Sequence, residues 1–191
     1  MKQKILICIS FFLLIMGISC HRETNNTLLQ QKGKSQTCVL QLLQQIDSLN
    51  NVSEYDPLIS QEYIFKVEEF CNTYPEDPMA AEFLFKAGLL AMAVAKNSDN
   101  SEETILYSQK ALIIFDNILN VYPEFNRVKN CILNKGVVYA DILHDYENAE
   151  FYYREFIAKY SADTLAMNVE SYLQYLGQSP DEIIALYGEE W

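Results

Sequence analysis

Histidine, glycine and tryptophan are nearly missing from this chain: its 191 residues include two histidines, six glycines and one tryptophan. His21 and His144 stand far apart, so no HExxH metal signature can be written, and a histidine-driven nucleophile has little to draw on. The glycines are scattered, which leaves no phosphate-cradling loop and no nucleophile elbow. Basic residues are also scarce, with 14 Lys and Arg against 26 Asp and Glu. Nucleic-acid binding rests on neutralising phosphates with cations, so nucleic acid is excluded as a partner, as is an electrostatic hold on anionic lipid. The longest apolar run, 5–18, has about fourteen residues where a membrane-spanning helix needs roughly 20. Paired acids such as Glu68-Glu69 and Glu102-Glu103 read as solvated helix faces rather than as a glycosidase pair. These shortages point away from an enzyme, a cofactor and a bound metal.

Two Tyr-Pro breaks are present, Tyr74-Pro75 and Tyr122-Pro123, and each is followed thirteen residues later by a glycine, Gly88 or Gly136. Counting back from each proline, apolar or small residues recur at −12, −8, −5 and −1. They are Tyr63, Val67, Phe70 and Tyr74 in the first copy, and Ala111, Phe115, Ile118 and Tyr122 in the second. Ala149, Tyr153, Phe156 and Tyr160 stand at the same offsets before Ser161, giving a third copy without the proline. Steps of 4, 3 and 4 keep to one face of an α-helix, so each copy is a helix running into a sharp stop.

The spacing predicts eight helices and no sheet. The first spans about 37–50, with Val39, Leu42, Leu43, Ile46 and Leu49 on one stripe. The second opens at Asp56-Pro57, a cap followed by proline at the first helical position. Asp77-Pro78 repeats that signal and opens the third, whose core positions are Ala80, Phe83, Leu84, Ala87 and Ala91. Asp99 or Ser101 caps the fourth. The fifth and sixth cover about 125–143 and 146–160, with Val128, Cys131, Ile132 and Tyr139 in register and Lys135 where Ala87 stood. The seventh carries Ala166, Val169 and Leu173. Ser179-Pro180-Asp181-Glu182 starts the eighth as a capping box.

The N-terminal residues form a separate unit. Lys2 and Lys4 precede the apolar run, and Ser19-Cys20 ends it, the pattern of a secretory signal. Gly17-Ile18-Ser19-Cys20 resembles a bacterial lipoprotein box. That resemblance implies that Cys20 is acylated and becomes the new N-terminus, while an unmodified secreted chain is the alternative. The expected division is a signal at 1–19, a polar tether at 20–36 and a helical domain at 37–191. Loss of Lys2 and Lys4 leaves 12 basic residues against 26 acidic ones, a formal net charge of −14. Solvated helix faces account for that charge most simply; a cationic partner is the second reading. Beyond Cys8 and Cys20, the cysteines are Cys38, Cys71 and Cys131. Cys71 and Cys131 read as small buried hydrophobes, and a Cys38–Cys71 disulfide stays open.

The stretch Asp145-Tyr146-Glu147-Asn148-Ala149-Glu150-Phe151-Tyr152-Tyr153-Arg154-Glu155-Phe156 resembles the second helix of a tetratricopeptide repeat. The resemblance makes Gly136 and Ala149 the small residues at the helix crossing, Tyr153 and Phe156 repeat packing positions, and Gly88 the counterpart of Gly136 one unit earlier. It implies an all-α chain of antiparallel helix pairs stacked as a short α-solenoid, similar to tetratricopeptide lipoproteins of the bacterial cell envelope. The stops lie 48 and 38 residues apart, whereas the family's period is 34. The family's turn glycine falls at His144, one residue late. The implied role is a lipid-anchored surface for a protein or peptide partner, at an outer membrane facing the periplasm. Glycan or peptidoglycan binding is the alternative. Most of the thirteen tyrosines fall at core offsets. Tyr107, Tyr152 and Tyr172, with Tyr175 and Tyr187, are the candidates for an exposed face. His144-Asp145-Tyr146-Glu147 reads as a turn with a helix cap rather than a proton relay or metal corner.

Overall fold

The computed structural model describes residues 27–49, 55–179 and 181–182. The signal, Cys20, Tyr187, Trp191 and most of the eighth helix lie outside the described residues. Among the described residues all regular structure is helical, so the chain is all-α. The elements are α1 (27–49), α2 (Pro57–Thr73), α3 (Ala80–Asn97), α4 (Ser101–Val121), α5 (Val128–Val137), a π-helical turn (Val138–Ile142), α6 (Tyr146–Lys159) and α7 (Thr164–Leu173). From α2 onward, each helix packs on the next in sequence.

The three copies take one conformation. Tyr63, Val67 and Phe70, Ala111, Phe115 and Ile118, and Ala149, Tyr153 and Phe156 are all buried. Each copy ends the same way: the N–H of Tyr74, Tyr122 or Tyr160 bonds to the carbonyl of Phe70, Ile118 or Phe156. The three tyrosines also share an extended φ with ψ of 60, 57 and 40°. Tyr160 does this ahead of a serine, so the stop is set by the aromatic pinned at the helix end as well as by proline. The corner then continues identically, with Asp77, Phe125 and Asp163 bonding back to those tyrosine carbonyls.

At two of the three corners the residue is an aspartate that does double work. Asp77 Oδ1 accepts from Met79 N at 2.9 Å and Oδ2 pairs with Lys32 at 2.8 Å. Asp163 repeats this with Leu165 N and Lys129. Burial pushes the Asp77 carboxyl up, yet Lys32 and the Met79 N–H outweigh it and hold it below the ordinary range. The chain makes another turn across Pro78 and α3 begins at Ala80, later than the Asp-Pro signal implies, with Asp77 turned to Lys32. The same partner corrects the tether. Residues 27–36 belong to α1, and Lys32 and Gln36 reach the start of α3 through Asp77 and Met79.

Three further boundaries differ. Asn100 caps α4, its Oδ1 accepting from Glu102 N at 2.9 Å, so neither Asp99 nor Ser101 does so. Phe125 lies in a turn rather than in a helix, its ring 6.0 Å from that of Phe85, and α5 starts at Val128. The π-helical turn at Val138–Ile142 was not read from the sequence. A π turn takes up one residue more than an α turn. It is followed by His144 in the left-handed region at φ 53°, where a glycine is usual. The late turn residue and the π turn are thus two sides of one insertion. Ser179 and Glu182 do form the reciprocal box, with Ser179 N donating to Glu182 Oε2 and Glu182 N to Ser179 Oγ.

The core falls into two clusters. The larger gathers α1 to α4 around Phe70, Phe83 and Phe115; the smaller gathers Ile132, Ala140, Ala149, Tyr153, Phe156, Ala166 and Val169. Cys71 and Cys131 are buried and form no disulfide, the Cys71 thiol donating to the Ala80 carbonyl at 3.6 Å, and burial pushes both thiols up to about 12. Cys38 is also free, which closes the Cys38–Cys71 option.

Candidate functional site

Side chains at −8 meet glycines across the helix crossings. A Cβ on Gly88 would lie 2.6 Å from the Phe115 ring, and one on Gly136 would lie 2.5 Å from the Tyr153 ring. Both distances are below any van der Waals contact, so the aromatic rings occupy the space that glycine leaves. This packing sets which side of each second helix points away from the core, and that outward side carries the candidate site.

Phe65, Ile113 and Phe151 lie ten residues before Pro75, Pro123 and Ser161, at one repeat offset. They are 61, 67 and 61% exposed. Two turns earlier, Leu58 and Leu106 are also exposed, so α2 and α4 each show a two-residue apolar stripe. Single exposed apolar residues are ordinary, but one position exposed and apolar in every copy is a surface feature. Glu62, Glu68, Glu69, Asp116, Glu147 and Glu155 stand three or four residues from the row, against Lys110 and Arg154. Four of those acids are paired, Glu68 with Lys110, Glu69 with Lys66, Asp116 with Lys135 and Glu155 with Lys159, so the row is apolar with a charged border of both signs. Helices α2 and α4 are tied together by Lys110–Glu68 at 2.8 Å and by Gln61–Glu103 at 2.9 Å.

Between α4 and α6 the row opens into a groove of about 480 Å³, floored by α5 and lined by Asp116, Leu119, Lys135, Phe151, Tyr152 and Glu155. Lys135 occupies a core position and is almost fully buried, with its Nζ on Asp116 Oδ1 and 4.1 Å from the centre of the Tyr152 ring. Burial works against the Lys135 charge, but Asp116 and Tyr152 outweigh it and hold the ammonium above its ordinary value.

The candidate tyrosines separate. Tyr152 is half-buried, with its ring stacked on Tyr139 at 5.6 Å and 4°, so it is a groove wall rather than an open platform. Tyr107 packs half-buried on the larger core. Tyr172 is 42% exposed, and so is Tyr146, which the sequence reading placed only in a helix start. The repeated row was visible in the sequence at offset −10; a search for buried positions passes over it. His144 sits in the turn, and Asp145 caps α6 by accepting from Asn148 N at 3.1 Å. Among the described residues no group of three His, Cys, Asp or Glu side chains is placed to hold a metal, and no helix is long and apolar enough to cross a membrane. Compared with protein-family models, curated proteins and solved structures, the chain matches none.

Proposed function

We propose that this chain is a non-enzymatic, lipid-anchored cell-envelope protein whose repeated helix pairs stack as a short tetratricopeptide-like solenoid and present a docking face to a protein partner. The observation that carries this reading is the exposed row Phe65, Ile113 and Phe151 at one repeat offset. Recurrence of one corner geometry at Tyr74, Tyr122 and Tyr160 supports the stacking. The exposed apolar row fits a partner segment with apolar anchors at helical spacing, an amphipathic helix above all. The row belongs to the second helix of each pair.

In-cell crosslinking followed by pull-down of the tagged chain tests this directly. The triple substitution Phe65→Ser, Ile113→Ser and Phe151→Ser is expected to abolish the crosslinked species while leaving the melting temperature unchanged, since all three side chains are exposed. An unaltered crosslinking pattern would overturn the docking face.

The anchor at Cys20 rests on the sequence alone, and it has its own test. Cys20→Ser is expected to remove acyl labelling and to move the protein from the membrane to the soluble fraction. Two acyl chains hold a protein firmly where one binds marginally, so the shift in fractionation should be nearly complete. Retention of label and membrane in that variant would sink the anchor without touching the docking face.

A further inference from the structure

A second concavity, of about 570 Å³, lies at the other side of the α5–α6 turn. Its walls come from four separate places: Lys96 at the end of α3, Asp141 and His144 after the π turn, Tyr146 at the start of α6, and Tyr172, Tyr175 and Gln178 around the end of α7. It is a shallow, open site whose lining is mostly exposed, and aromatic faces with a few convergent polar groups are what small-molecule sites present.

The two exposed rings are held in place. Tyr172 stands edge-on to the buried Tyr153, with centroids 5.6 Å apart at 90°, and its hydroxyl donates to Asp141 Oδ1 at 3.1 Å. Burial and the Asp141 carboxylate both push the Tyr172 phenol up, so it remains a neutral donor. Tyr146 is backed by Gly177, which sits at φ 78° and where a Cβ would lie 3.0 Å from the ring. Rigid side chains lose little freedom when a ligand settles on them. Asp141 reaches Tyr172 from within the π turn, and the left-handed His144 follows it at the rim. Unusual backbone of these two kinds concentrates at binding sites. Gln178 closes the wall, its Nε2 donating to the Gln174 carbonyl at 3.1 Å.

The polar groups decide the ligand class. Lys96 donates, Asp141 accepts, and His144 can do either. An anion would meet Asp141 and an organic cation would meet Lys96, so neither sign of charge is favoured. A neutral polyol satisfies both, because each hydroxyl donates and accepts, and the C–H faces of a sugar ring bury against tyrosine. We infer that the pocket bounded by Tyr146, Tyr172, Asp141, His144 and Lys96 is a saccharide-binding site. It is separate from the docking row and does not depend on it.

Titration of the full chain with cellohexaose, maltohexaose, xylohexaose and hexa-N-acetylchitohexaose, followed by calorimetry, tests the assignment. At least one is expected to bind with a Kd of about 0.01–1 mM. Tyr146→Ala and Tyr172→Ala should each weaken that binding about tenfold or more, and Tyr107→Ala should leave it unchanged. Should Tyr172→Ala unfold, Tyr172→Phe and Asp141→Asn keep the packing, and each is expected to weaken binding about threefold or more. No binding by any of the four at about 10 mM would overturn the site. So would binding indifferent to Tyr146, Tyr172 and Asp141, or a pocket that takes tetramethylammonium or inorganic phosphate instead. The triple substitution in the docking row should leave saccharide affinity intact, so either idea can fail without the other.

Discussion

Phe115→Ala is expected to remove about 3–5 kcal/mol of stability, read as a lower urea midpoint with an unchanged slope. Domains of this kind hold about 5–15 kcal/mol in total, so the variant is left near its folding limit. Phe115 has no exposed surface, and its ring fills the space over Gly88 and packs on Phe85 at 6.3 Å. Deleting the ring leaves a cavity at the crossing of α3 and α4, where backbone on one side is already helical and cannot collapse inward. Gly88→Ala loads the same contact from the opposite side. Alanine is worth about 1 kcal/mol over glycine in a helix, but a Cβ 2.6 Å from the ring forces a shift. Overpacking of that kind costs about 1–3 kcal/mol, so the net effect runs from about neutral to a loss of about 2 kcal/mol. The two sites are therefore coupled. Gly88→Ala combined with Phe115→Leu should be more stable than the sum of the single changes by about 1 kcal/mol or more. Simple additivity would show that the crossing is not set by this pair. Gly136 and Tyr153 repeat the arrangement at 2.5 Å, and the same sign of coupling is expected there.

That crossing also shows what could be read in advance. The offsets −12, −8 and −5 found nine buried residues in three helices, because helix periodicity and burial are local signals. Boundaries were less legible. Asp77-Pro78 looks like a helix start, but the chain takes one more turn over Pro78 and Met79 and α3 begins at Ala80. Residues around Lys32-Gly33-Lys34 read as polar tether while belonging to α1, where a distant partner, Asp77, holds Lys32. The π turn was hidden because one inserted residue leaves no compositional mark; only the late His144 hinted at it. The saccharide pocket was partly legible. Tyr172 stood out as a tyrosine off the core register, whereas Tyr146 was absorbed into a helix start, and what brings the two together is the turn around Gly177. The −10 row had a sequence signal as strong as that of the core, but its exposure in every copy is visible only in the structure.

Lys135 yields the second large effect, and it runs against the intuition that the buried partner matters more. The Lys135 side chain is 5% exposed, whereas that of Asp116 is 50% exposed. Asp116→Ala leaves a buried ammonium without its counter-charge, and uncompensated buried charge costs about 3–5 kcal/mol. Tyr152 stays over the ammonium and offsets part of this, so the expected loss is about 3 kcal/mol. Lys135→Met removes the charge, keeps the length, and frees Asp116 to water; its expected cost is within about 1 kcal/mol of neutral. Denaturant midpoints for the two variants give the order, and Lys135→Met as the more damaging change would overturn the account. The pH dependence supplies an independent check. In the parent chain Lys135 is raised, so its contribution is complete below the ordinary lysine value of about 10.4 and is lost only as pH rises through the folded value. In Asp116→Ala, burial is expected to dominate and lower it. The unfolded chain then binds the extra proton between the lowered value and about 10.4, so stability should climb with pH over that interval. Opposite slopes in parent and variant would tie the loss to a buried charge rather than to a missing side-chain contact.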